Sequence, residues 1–209
     1  MSVLSVNNLS IVKRDRLLFS KVKFNVVAGS LTYLRGVNGA GKTSMLRVLA
    51  GLVEPESGEV LFQGEKIQDC RNDYALSLVY FGHKLGVNQT LTAVENILFW
   101  CVLHQVITTT EQVYKILAQL NLVGLEDIPV ANLSAGQQRR VALARFWFKK
   151  NAKLWILDEP FTALDVQGIA LLNQQIISFL EKGGAVVMTS HQSLQIEYPT
   201  TEVTLEYNI

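Results

Sequence analysis

What this chain lacks narrows it first. It has two cysteines, Cys70 and Cys101, among 209 residues. That is too few for a disulfide framework and reads as two ordinary semi-buried thiols in a reducing compartment. It has no excess of charge of one sign: 19 Lys and Arg against 18 Asp and Glu leave a formal net charge of +1. Such a balance gives no support for a nucleic-acid partner, which calls for a basic face. It has no apolar run approaching the roughly 18 residues of a membrane helix; the best stretch, Ile97 to Ile107, is broken by His104 and Gln105. Its start, MSVLSVNNLSIV, lacks the basic segment and long apolar core of a secretory signal and alternates like a strand. There is no internal repeat and no low-complexity linker. The expectation is a soluble chain, with any membrane span supplied by another subunit.

What is present is a globular composition, 49% hydrophobic and 18% charged, long enough for one well-buried core with a small inserted subdomain. The most informative string is GVNGAGKT, comprising Gly36, Val37, Asn38, Gly39, Ala40, Gly41, Lys42 and Thr43, with Ser44 following. It comes after an apolar extended run (Leu31, Tyr33, Leu34) and opens a helical pattern (Met45, Leu46, Val48, Leu49). Strand, glycine loop and helix together make the context of a phosphate-binding loop. Glycines there let backbone N–H groups converge on phosphate oxygens at a helix N-terminus, whose dipole favours negative charge. Lys42 adds a cation for the β- and γ-phosphates, and so counts as catalytic; Thr43 adds a hydroxyl for Mg²⁺.

Elsewhere, residues 3 to 35 hold short alternating runs (Val22, Phe24, Val26; Leu31, Tyr33) that read as antiparallel strands. Further strands are expected at Val60 to Phe62, Leu78 to Phe81, Leu154 to Leu157, Ala185 to Met188 and, as an edge, Val203 to Tyr207. From about 92 to 150 the pattern turns helical. Thr92 with Glu95 makes a capping box, Glu111 to Leu120 is amphipathic, and Ser134 to Phe148 and Val166 to Lys182 are helices. This predicts an α/β P-loop core with an antiparallel β layer, roughly 1–84 and 151–209, and an inserted α-helical subdomain at roughly 85–150.

The strand Leu154 to Leu157 ends in Asp158 and Glu159. Buried strands of such sheets aim their carboxyl ends at the ligand. Asp158 is the expected Mg²⁺ ligand, through water, and Glu159, pointing the other way in the pleat, the group that orients or deprotonates the attacking water. In LSAGQQRR, Ser134 and Gly136 head a helix and form a second anion site. Two cradles in one chain imply two subunits, each closing the other's nucleotide.

These elements, in this order, resemble the ATP-binding-cassette ATPases over essentially the whole chain. LSAGQ (Leu133 to Gln137) stands for the family's LSGGQ, with Ala135 at one glycine position, and Gln137 joins the nucleotide contacts. TALD (Thr162 to Asp165) resembles the loop linking the two sites across the dimer, which puts Asp165 near the nucleotide. His191, in TSHQ, matches the switch histidine that contacts the γ-phosphate and the water. The resemblance implies ATP and Mg²⁺ as ligands, a homodimer of ATPase subunits and integral membrane permease partners. ENILFW (Glu95 to Trp100), EDIPV (Glu126 to Val130), Gly82-His83, Phe161 after Pro160, Gly183-Gly184 and SHQSL (Ser190 to Leu194) narrow it further. They are similar to the haem-exporter ATP-binding subunits of cytochrome c maturation systems. That implies a peripheral subunit on the cytoplasmic face of a bacterial inner membrane, powering haem export or release of a haem-loaded chaperone. A cassette for another substrate, or a non-transport module gating protein interactions, is the alternative.

Two departures stand out. The family's adenine-stacking aromatic near position 13 is missing. Lys13 or Arg14 lies over the base, or the segment is a solvated charged turn. Where the family has a glutamine after the Leu78 to Phe81 strand, this chain has Lys84, which cannot ligate Mg²⁺. The partner surface is expected near Leu91 to Val106. There Phe99, Trp100 and Val102 are core or docking residues, and helical spacing favours core.

Overall fold

The computed structural model describes residues 2–13, 16–190 and 196–206. The chain divides into two compact units, Met1–Gly82 with Ala152–Pro160 and Ile177–Ile209, and His83–Asn151 with Phe161–Ile176.

The first unit carries two sheets. Strands β1 (Ser2–Lys13), β2 (Arg16–Val27), β4 (Ser57–Phe62) and the short β5 (Glu65–Lys66) form an antiparallel sheet in the order β2-β1-β4-β5. Strands β3 (Leu31–Arg35), β6 (Leu78–Phe81), β7 (Leu154–Asp158), β8 (Ala185–Thr189) and β9 (Thr200–Thr204) form a parallel sheet in the order β6-β7-β8-β3-β9. The reading of Leu31 and Tyr33 as antiparallel is therefore corrected: β3 lies between β8 and β9, both parallel to it. LTYLR is buried at its first four positions, the near-continuous apolar run of a strand covered on both faces rather than half-solvated. β7 and β8 are buried throughout for the same reason. Helix α1 (Lys42–Leu49) follows β3 and buries Met45, Leu46, Val48 and Leu49 in a core shared with Leu4 and Val6 of β1 and with Ile156 and Val187. Helix α2 (Arg71–Ser77) is anchored by Tyr74, whose hydroxyl donates to the carbonyl of Leu49.

The second unit is helical: α3 (Ala93–Leu103), α4 (Thr110–Gln119), α5 (Ala135–Leu143), α6 (Arg145–Phe148) and the first part of α7 (Val166–Glu181). The capping box of Thr92 and Glu95 starts α3, and Thr109 with Gln112 makes another at α4. The long helix expected from Ser134 to Phe148 is two, joined at Ala144. The core packs Val94, Ile97 and Cys101 of α3 on Val113 and Leu117 of α4 and Val141 of α5. Phe99 and Val102 do not join it, being 59% and 75% exposed, which corrects their assignment to the core. α3 is apolar nearly all round, so its period cannot say which side faces inward.

Candidate active site

The loop between β3 and α1 is set by glycines at left-handed angles. Gly39 and Gly41 have φ of 86° and 95°, a conformation that costs an L-residue roughly 1–2 kcal/mol. At Gly41 space is tight as well: a Cβ there would lie 3.1 Å from the Phe19 ring and 3.2 Å from Leu18 Cβ, and both would have to give way. Gly41 is the N-cap of α1 and offers no side-chain acceptor, so the first N–H groups of the helix are left for an anion. Lys42 Nζ donates to the carbonyls of Gly36 and Val37 at 2.7 and 3.4 Å, holding the ammonium over the loop. Val37, Asn38 and Thr43 are exposed, Ser44 is half-buried, and Ala40 is buried and anchors the loop to the core.

The two carboxylates lie at the end of β7. Asp158 is buried and paired in register with Thr189 at the end of β8. Its Oδ1 accepts from Thr189 Oγ1 at 2.8 Å. Its Oδ2 is buried with no hydrogen-bond partner among the described residues. An orphaned carboxylate oxygen is costly and matches a divalent cation. With the Thr43 hydroxyl it makes a sparse set of hard oxygens, which suits Mg²⁺, an ion that keeps water and takes one or two protein oxygens beside substrate phosphates. Contrary to expectation, Glu159 is not placed by strand pleating, because β7 ends at Asp158. Glu159 has a left-handed φ of 50°, and its N–H donates to Thr189 Oγ1 at 3.1 Å. The turn, and not the pleat, directs its half-buried side chain.

Two tyrosines line the same strand ends. Tyr33 of β3 donates from its hydroxyl to the carbonyl of Ser190; burial pushes its phenol up, with Arg35 opposing and Glu159 reinforcing the shift. Tyr80 of β6 is raised by burial and then by the charge of Asp158. His191 and Arg14 lie outside the described residues. Lys13 is exposed at the end of β1, and Lys84 is exposed in the second unit.

In the second unit Ser134 is the N-cap of α5. Its Oγ accepts from the Gln137 N–H at 3.3 Å, and the Gln137 side-chain oxygen accepts from the Ser134 N–H at 2.8 Å. This capping box uses the hydroxyl as acceptor and leaves its proton to donate. Gly136 is half-buried; a Cβ there would lie 3.2 Å from the carbonyl oxygen of Ala163. Asp165 has both oxygens engaged within its unit, one from Arg140 at 2.5 Å and one from the Gly168 N–H at 2.9 Å. The Gly168 N–H and then Arg140 hold its carboxyl below the usual range. Sequence reasoning missed Thr189 and Arg140. The signal for Thr189 was a hydroxyl closing an otherwise apolar strand, AVVMT, beside the acidic pair.

The ABC transporter family profile matches residues 19–162. The chain is 46% identical over 197 residues to the cytochrome c biogenesis ATP-binding export protein CcmA of Vibrio cholerae, covering 94% of this chain and 95% of that one. It is 47% identical over 196 residues to the protein of the same name from Escherichia coli strain K12, covering 94% and 92%. Among solved structures, the ATP-binding subunit of an ABC transporter superposes with a TM-score of 0.87 at 24% identity, covering 98% of this chain and 86% of that one. A dimeric ATP-binding cassette in a post-hydrolysis state with ADP and Pi superposes with a TM-score of 0.85 at 21% identity, covering 97% and 94%. These likenesses carry the α/β cassette fold.

Proposed function

From a chain that belongs to the ABC transporter family, alongside the cytochrome c biogenesis ATP-binding export proteins, we propose an ATPase subunit that powers a membrane complex of cytochrome c maturation. One observation carries the site assignment: the buried Asp158, with Oδ2 unpartnered, stands in the same unit as a glycine loop whose helix start has no side-chain cap.

In this reading Gly36 to Ser44 wrap the triphosphate, with Lys42 released from its loop carbonyls onto the β- and γ-phosphates. Thr43 and Asp158 hold Mg²⁺, which when bound neutralises phosphate charge. Glu159 accepts a proton from, or orients, the water that attacks the γ-phosphorus in line, and His191 assists at the same phosphate. Each chain supplies half of two sites. The Ser134 hydroxyl, with Gly136 and Gln137, faces the γ-phosphate held by a second copy. Loss of that phosphate removes the contacts that close the pair. Asp165 acts through the position of its loop.

The membrane partner docks on the C-terminal half of α3. Phe99, Val102 and Leu103 are exposed there, as is Ile107 just beyond, and no Asp, Glu, Lys or Arg lies between Asn96 and Thr110. Among the described residues no helix is long and apolar enough to cross a membrane. In this reading the subunit is peripheral, on the cytoplasmic side of the inner membrane, as the likeness to the CcmA proteins suggests. Haem export, or release of a haem-loaded chaperone, is the work that this assignment entails.

The test is Glu159→Gln. It should bind ATP, turn over about 10²–10⁴-fold more slowly and accumulate an ATP-dependent dimer on size exclusion. Wild-type turnover would remove Glu159 from the mechanism.

A further inference from the structure

We infer that Thr189 is a positioning residue for the hydrolytic centre, using one hydroxyl to set both carboxylate residues. The inference rests on the ATPase reading above and concerns a side chain that touches neither nucleotide nor metal in that reading.

Thr189 is wholly buried at the last position of β8, and its in-register neighbour on β7 is Asp158. A hydroxyl has one proton to give and lone pairs to accept, and both functions are in use. The proton goes to Asp158 Oδ1 at 2.8 Å, and the oxygen accepts the N–H of Glu159 at 3.1 Å. Each bond fixes something different. The first holds the Asp158 carboxylate by one oxygen, so that Oδ2, buried without a partner among the described residues, remains for a cation. The second closes the backbone turn at Glu159, a non-glycine residue at φ 50°. Such a conformation persists only where its surroundings hold it. The N–H that would continue the β7 ladder is tied instead to a side chain, and this is where the acidic side chain leaves the strand.

Neither role needs a titrating group, and neither can be filled by an apolar residue. Valine has the shape of threonine without the hydroxyl. It would leave Asp158 Oδ1 and the Glu159 N–H unpaired in a buried place, freeing the carboxylate to rotate and the turn to relax. Serine keeps the hydroxyl and drops only a methyl. The strand around Thr189 is otherwise Ala, Val, Val and Met, so packing alone would favour valine there. Tyr33, hydrogen-bonded to the carbonyl of Ser190, pins the next residue and keeps the hydroxyl in place.

The experiment compares wild type, Thr189→Val and Thr189→Ser by binding a fluorescent ATP analogue in Mg²⁺ and in EDTA, then by kcat and KM. Thr189→Val should bind metal-free nucleotide as wild type does, because the glycine loop is untouched. It should lose about 10-fold or more of the affinity that Mg²⁺ adds, and kcat should fall about 10–100-fold, the usual cost of removing a group that orients a metal ligand. Thr189→Ser should restore most of both. Should the valine variant fail to fold, Thr189→Ala against Thr189→Ser gives the same comparison. Equal Mg²⁺ enhancement and kcat in the hydroxyl-free and hydroxyl-bearing variants would overturn the inference, leaving Thr189 a packing residue. A wild-type protein that binds no ATP would instead remove the ATPase reading itself.

Discussion

Arg140 of α5 and Asp165 at the start of α7 meet at 2.5 Å inside the second unit. Arg140 also donates to the Leu120 carbonyl at 3.2 Å, and the other oxygen of Asp165 caps α7 at Gly168. The helix that begins at Ser134 is thereby tied to the loop before α7. Asp165→Asn should keep the cap, since asparagine caps as well as aspartate, and lose the ion pair. Asp165→Ala should lose both. Melting temperatures should fall in the order wild type, Asn, Ala; an alanine variant as stable as wild type would show that the pair holds nothing.

Gly41→Ala should damage the loop twice over. The left-handed φ of 95° alone costs about 1–2 kcal/mol, and the added methyl meets the Phe19 ring. Denaturant titration should show at least that loss, together with nucleotide affinity reduced more than in Lys42→Ala, which removes a charge and leaves the backbone cradle intact.

The cluster where α3 meets α6 carries the pH dependence. The His104 ring packs at a tilt of 33° against Trp100, centroids 4.2 Å apart, and its Nδ1 lies 3.0 Å from the Nζ of buried Lys149. Burial, then Lys149 and Arg145, push the imidazole down to about 4. A base with a depressed folded pKa takes its proton first in the unfolded chain. Stability is therefore intact above the unfolded value near 6.5 and is lost as pH falls toward 4. After allowance for solvent at this half-exposed ring, the loss is roughly 1–2 kcal/mol. Urea midpoints at pH 7 and 4.5 should differ less in His104→Gln than in wild type. Identical acid loss in the two would place the titration elsewhere.

The exposed end of α3 should be dispensable for folding and needed for docking. Phe99→Ser with Val102→Ser should change stability by no more than about 0.5 kcal/mol each, as surface substitutions do, and keep the soluble ATPase rate. Detergent-extracted membranes should then yield little membrane subunit with the variant. Undiminished co-purification would move the docking face elsewhere.

How far the sequence could be read depended on what each segment had to decide by itself. The glycine loop, the Thr92–Glu95 box and the Leu154 to Asp158 strand are local chemistry, legible because spacing dictates them. β3 was misread because a strand's direction is set by its neighbours, β8 and β9, which lie far along the chain. Phe99 and Val102 were misplaced because an all-apolar helix carries no inward stripe. Glu159 follows a turn held by Thr189, 30 residues on, and no period announces a hydrogen bond across two strands.

In the proposed mechanism each nucleotide site is shared between two chains, and mixing two dead variants tests this. Lys42→Ala disables the loop half, and Ser134→Arg blocks the serine half. Each alone should hydrolyse no ATP. A mixed pair contains one site made of an intact loop from one chain and an intact serine end from the other, so combining the two proteins should restore measurable turnover that rises with their concentration. A mixture as inert as its components, or a Ser134→Arg protein that hydrolyses at the wild-type rate, would contradict it.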